Sequence, residues 1–79
     1  NPTTRIRYEV GARVHVSLTV YDVQGRKIKQ LVDEVRGPGQ FTAEWNGTNV
    51  NGSRVSTGVY FYRIEAGSFV QTRKMVMLK

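Results

Sequence analysis

Few side chains in this 79-residue sequence are of a type and spacing that could do chemistry. His15 is the only imidazole, and it has no Cys, Asp or Glu beside it at metal-ligand spacing; one ligand does not make a zinc site. A Ser-His-acid set would need His15 as its base, and no Gly-x-Ser-x-Gly elbow accompanies it. The six acidic residues fall in turns or on outward strand positions, which does not suit the two facing carboxylates of glycoside hydrolysis. The residues therefore predict no enzyme, no catalytic set and no cofactor.

Three further stretches carry weaker signals. Asn46-Gly-Thr-Asn-Val-Asn-Gly52 has the alternate oxygen spacing of a calcium loop, but it offers neutral amides and a hydroxyl where such loops depend on carboxylates. No metal is expected there. Its Asn-Gly pairs supply the positive φ angles of tight turns, and the two sequon matches at Asn46 and Asn51 read as turns as well. Gly37-Pro38-Gly39 lacks the Lys and the strand-to-helix context of a phosphate cradle. Tyr60-Phe61-Tyr62 could stack on bases, yet Lys and Arg are scattered along the chain, and apolar neighbours on both faces favour packing. Nucleic acid is not an expected partner.

These residues are carried on elements with a period of two, and no sustained helical stripe appears. Arg5 to Val10 puts Ile6, Tyr8 and Val10 on one side, followed by a turn at Gly11-Ala12. The clearest strand follows, with Val14, Val16, Leu18 and Val20 on one face and Arg13, His15, Ser17, Thr19 and Tyr21 on the other. Asp22-Val-Gln-Gly25 has the composition of a type I turn. A strand from Arg26 to Val32 has Ile28 and Leu31 out of step by one, which predicts a bulge or bend. Asp33 to Gly39 reads as a loop, Gln40 to Trp45 as a strand with Phe41, Ala43 and Trp45 inward, and a short strand is expected around Val55. Gly58 to Ala66 and the run from Val70 form a hairpin through Gly67-Ser68. About seven short strands with turn signals every eight to twelve residues predict an all-β antiparallel sandwich.

The length allows one domain, residues 1–79, that buries roughly 60–65% of its unfolded surface and draws no more than ~3–5 kcal/mol from a single core. With no cysteine, packing and strand pairing must hold it together. Lys and Arg outnumber Asp and Glu by 12 to 6, a net charge of +6 that either favours anionic partners or keeps strand edges soluble. No run approaches the ~18 apolar residues of a membrane span, and no signal-peptide apolar region is present. Because the sequence opens on Asn1-Pro2 without Met, it reads as a fragment whose export signal would lie upstream. In Met75-Val-Met-Leu78 apolar atoms fall on both faces of one strand, so one face can pack inward while the other stays available for strand addition. Complete burial of that strand is the competing expectation.

The punctuation of the whole chain, Asn1-Pro-Thr-Thr, Val20-Tyr-Asp-Val-Gln-Gly25, Trp45-Asn-Gly47, Asn51-Gly52, Gly58-Val-Tyr-Phe-Tyr62 and Thr72-Arg-Lys-Met-Val-Met-Leu-Lys79, resembles the type A C-terminal sorting domain of the type IX secretion system. That family is similar to the immunoglobulin-like domain of the flagellar hook-capping protein. The resemblance implies an immunoglobulin-like sandwich at the end of a larger exported bacterial protein, passed through the periplasm to the cell surface or medium. Its implied partners are an outer-membrane translocon, a sortase-like peptidase that removes the domain, the covalently linked upstream cargo, and anionic lipopolysaccharide. By position Gly58, Tyr60, Lys74, Val76 and Lys79 correspond to the family's recognition motifs, while Asn46 departs from the Asp common after the family's Trp. Two alternatives remain: a carbohydrate-binding or spacer module using Tyr21 or Tyr62 as a sugar platform, and a hook-cap assembly domain.

Overall fold

The computed structural model describes residues 3–78. Six strands follow in order: β1 (Thr4–Val10), β2 (Val14–Asp22), β3 (Lys27–Arg36), β4 (Gly39–Trp45), β5 (Gly58–Ala66) and β6 (Phe69–Met77). All pairings are antiparallel, in a two-stranded sheet β1-β4 and a four-stranded sheet β3-β2-β5-β6. The alternation of β2 dictates the layering, because Val16, Leu18 and Val20 are fully buried between the sheets. Facing them from the small sheet are Ile6, Val10, Ala43 and Trp45, all buried, whereas the outer positions Arg5, Arg7, Glu9, Gln40, Thr42 and Glu44 are polar. The core divides into a cluster around Leu18, Ile6 and Ile64 and a second around Trp45, Val20, Tyr60 and Met77.

The expected bulge is present, with register shifts that leave Leu31 and Ile28 as extra residues in β3. Each extra residue turns its side chain toward the core, where both pack as half-buried apolar groups. Two expectations fail. Residues 33–36 belong to β3, pairing from Ser17↔Asp33 to Val14↔Arg36, because an edge strand tolerates the charges that made this stretch read as a loop. Around Val55 there is no strand; the chain makes one bridge, Thr48↔Arg54, and Val55 N–H donates to the Gly47 carbonyl at 2.9 Å. Among the described residues six strands therefore form, within the expected six or seven, the short one around Val55 being the one absent.

Two turns share one construction. At Asp22, Gly25 N–H donates to the Asp22 carbonyl and Asp22 N–H to the Arg26 carbonyl, both at 3.0 Å, with Gly25 at φ +84°. At Asn49, Gly52 N–H donates to the Asn49 carbonyl at 3.0 Å and Asn49 N–H to the Ser53 carbonyl at 2.8 Å, with Gly52 at φ +83°. Each is a type I turn closed by a glycine in the left-handed region. In each the first side chain also accepts two backbone N–H bonds, from Gln24 and Arg26 to Asp22 and from Asn51 and Ser53 to Asn49.

Candidate interaction site on the last strand

β6 is placed by the β5–β6 hairpin, whose two-residue loop Gly67-Ser68 has positive φ only at Gly67, as a type II′ turn requires. A β-carbon on Gly67 would stand 2.8 Å from Val14 Cγ2, so the turn is also packed against the start of β2. Among the described residues β6 pairs with β5 alone, leaving its other edge open. Met77, 3% exposed, sits in the core beside Trp45, with its Sδ 3.3 Å from where a β-carbon on Gly47 would lie. The neighbouring Val76 is 56% exposed. One end of this strand is therefore structural while its other face, with Val70, Thr72, Lys74 and Val76, is presented outward.

Toward the Phe69 end the small sheet no longer covers β6. Phe69 and Arg73 on the inner side are exposed, and together with Tyr62 and Gln71 they line a cleft of about 350 Å³ whose opposite wall is Arg7 and Tyr8 of β1. Tyr8 is held by stacking on Phe41 at 5.5 Å, and the Arg36 guanidinium lies 5.1 Å above the other ring. β1 pairs only with β4, so its free edge borders the same cleft.

The residues singled out from the sequence divide between faces. Gly58 opens β5 opposite Met77, and Tyr60 is buried, its ring edge-on to Trp45 at 5.1 Å and its hydroxyl donating to the Ser56 carbonyl at 2.7 Å. Trp45 Nε1–H donates to the Thr48 carbonyl at 2.9 Å, so both large rings also satisfy their polar atoms. Lys74 and Val76 come together on the outer face, opposite Phe61 and Val59. Lys79, like Asn1 and Pro2, lies outside the described residues. Phe61 and Val59, which their apolar type would assign to packing, are the neighbours of Lys74 and Val76 there, and the alternation with Tyr60 and Tyr62 is the sequence signal for that outer position. Tyr21 lies on that outer face, whereas Tyr62 belongs to the inner cleft.

The remaining chemical candidates have local duties. His15 Nε2 is 2.8 Å from Asp33 Oδ1 across the β2–β3 pairing, both groups exposed. In the Asn-rich loop, Asn46 Oδ1 accepts from Thr48 at 2.6 Å and Asn49 Oδ1 from two backbone N–H groups, so these oxygens serve the turn. Among the described residues no group of three His, Asp or Glu side chains could hold a metal ion. The Asp22 carboxyl is held below its ordinary value first by the Arg26 backbone N–H, then by the Arg26 guanidinium at 2.9 Å and the Gln24 N–H.

A sandwich of two antiparallel sheets whose conspicuous features are packed rings and an open last strand is of the immunoglobulin-like class. The chain belongs to the FlgD Ig-like domain family, whose model matches residues 3–68. That match ends at Ser68, so Lys74 and Val76 lie beyond it. Among solved structures, the crystal structure of FlgD from P. aeruginosa superposes with a TM-score of 0.72 at 17% identity, covering 95% of this chain. This chain spans 59% of the FlgD chain. No curated protein matches it.

Proposed function

We propose that this chain is a non-enzymatic assembly domain of the hook-cap kind, part of a larger exported protein, which joins a protein partner by strand addition along β6. The observation that carries the reading is the open β6 edge, with Val70, Val76 and Leu78 exposed around it on a strand anchored at Met77. An exposed apolar edge strand is an aggregation liability that proteins blunt with charge, bulges or cover. Two cations, Lys74 on the outer face and Arg73 on the inner, interrupt this one without covering Val70 or Val76, which suits an edge kept for a partner. The family match supports assembly over catalysis. A second reading, sorting by a type IX translocon, is favoured by the pairing of Lys74 with Val76 on one exposed face, the positions that the sequence resemblance assigns to recognition.

The test replaces the Ig-like domain of a hook-capping protein with this chain, and in parallel fuses the chain to a reporter behind an export signal in a type IX-competent host. Hook growth supports assembly, and surface display of the reporter supports sorting. In either arm Val70→Lys with Val76→Lys should abolish the activity without changing the melting temperature. If both arms are silent, or the paired substitution has no effect, docking through β6 is refuted. Deleting residues 74–79 would be a poorer experiment, since it removes Met75 and Met77 from the core and confounds recognition with folding.

A further inference from the structure

We propose that the outer face of the four-stranded sheet binds an acidic polysaccharide, with its rings laid across the strands. The register builds this face from rows that cross all four strands. Lys27 pairs with Tyr21, Tyr21 with Phe61 and Phe61 with Lys74, giving a row of cation, ring, ring, cation. All four belong to the outer side: Tyr21 follows buried Val20, Phe61 follows buried Tyr60, and both lysines are exposed. Next to it runs Gln30, Thr19, Arg63 and Thr72, a row of amide, hydroxyl, guanidinium and hydroxyl. A third row holds Asp33, Ser17, Glu65 and Val70. The face therefore grades along the strands from acid, through a mixed row holding one guanidinium, to cations bracketing two rings.

Each part has a use in holding a charged sugar chain. Aromatic side chains on the sheet offer apolar area to the faces of sugar rings, and in the next row exposed Arg63 and Thr72 can bond sugar hydroxyls, whereas Thr19 is 5% exposed and the Gln30 amide donates to Ser17 Oγ at 3.0 Å. The lysines stand three strand spacings apart, roughly 14 Å. That separation suits a polymer that carries its carboxylates at intervals between uncharged, hydroxyl-bearing rings. Single-stranded nucleic acid fits less well, because it carries a phosphate at every nucleotide while no cation stands between the two lysines in the row. Arg63, in the adjacent row, has its charge offset by Glu65 at 3.6 Å, while its remaining N–H groups stay free to donate to a neutral hydroxyl. The surface is also dished where a chain would cross: a depression of about 360 Å³ is lined by Tyr21, Phe61, Arg63 and Thr72, with the turn residues Asp22, Val23 and Gly25 at one end, where the Asp22 carboxylate is taken up by Arg26 at 2.9 Å. The net charge of +6 adds a long-range attraction of the right sign.

The experiment is affinity electrophoresis and calorimetry of the purified chain with polygalacturonate, with dextran as the neutral control and a mixed single-stranded DNA oligonucleotide as the competing anion. Saturable binding to polygalacturonate that weakens with salt is expected, with none to dextran. Lys27→Ala with Lys74→Ala should weaken binding at least about tenfold. Tyr21→Ala should weaken it similarly while the melting temperature stays within about 3 °C of the parent. Arg7→Gln with Arg13→Gln, which removes the same charge from elsewhere, should leave it unchanged. Absence of binding, tighter binding to DNA, or equal loss in the two charge-matched pairs would each overturn the proposal.

Discussion

Replacing Tyr60 by Phe removes one oxygen from a core position to which the sequence resemblance also assigns recognition. The hydroxyl donates to the Ser56 carbonyl at 2.7 Å, and the ring packs edge-on against Trp45 at 5.1 Å in a site 5% exposed. Phe keeps the ring contact, so the loss is the hydrogen bond alone, about 1 to 1.5 kcal/mol with the carbonyl still able to reach water through exposed Ser56. For a domain of this length that lowers the melting temperature by about 4–12 °C, and it takes roughly a fifth to a half of the ~3–5 kcal/mol a core of this size supplies. Urea and thermal unfolding followed by Trp45 fluorescence suit the measurement, because the only tryptophan touches the substituted ring. A variant that melts with the parent would refute a structural role for the hydroxyl. It would leave recognition as the reason for having Tyr there.

Met77→Ala and Val76→Ala should behave oppositely although they are adjacent. The first opens a cavity in the Trp45 cluster, costing about 2–5 kcal/mol and leaving much of the chain unfolded at 25 °C, whereas the second stays within about 0.5 kcal/mol; urea titration checks both. Gly67→Ala should destabilise by more than the roughly 1–2 kcal/mol of a left-handed non-glycine residue, since its β-carbon meets Val14 at 2.8 Å. Gly25→Ala, with open space at φ +84°, should show only that conformational cost in the same melting series. The depressed Asp22 carboxyl stabilises the fold above its ordinary value of 3.8, and the contribution is lost as pH falls through the lower folded value. The stability gap between the parent and Asp22→Asn should therefore be full at neutral pH and close in acid below about pH 4, measured by melting across pH.

The local half of the fold was readable from residues. Alternation in β2, the Asp22 to Gly25 turn, the out-of-step Ile28 and Leu31, and the β5–β6 hairpin all follow from side-chain type and spacing, and the structure has them. What failed did so where local pattern and sheet position disagree. Asp33 and Glu34 look like loop residues, yet at an edge strand they face solvent while the backbone still pairs. Val55 has a strand former's side chain but sits in a loop tied by Gly47 and a single bridge. The candidate surfaces needed long-range register. The Lys27, Tyr21, Phe61, Lys74 row spans fifty-odd residues of sequence, and two bulges in β3 set which lysine joins it. The sequence reading placed Lys74 and Val76 on the last strand; only pairing set them beside Phe61 and Val59.

The two sheets differ in width, and under the proposed docking that inequality would couple occupancy to stability. Two strands roof four, so the inner side of β6 is left uncovered beside β1, and a strand added along β6 would border that same cleft. A partner at a hundred times its dissociation constant adds about 2.7 kcal/mol to the folded state, comparable with the ~3–5 kcal/mol the isolated core provides. Docking would then nearly double the free energy holding the domain together, and an unpartnered copy would stay within easy reach of unfolding and proteolysis. Quality control and recognition become one measurement, legible as a shift in melting temperature.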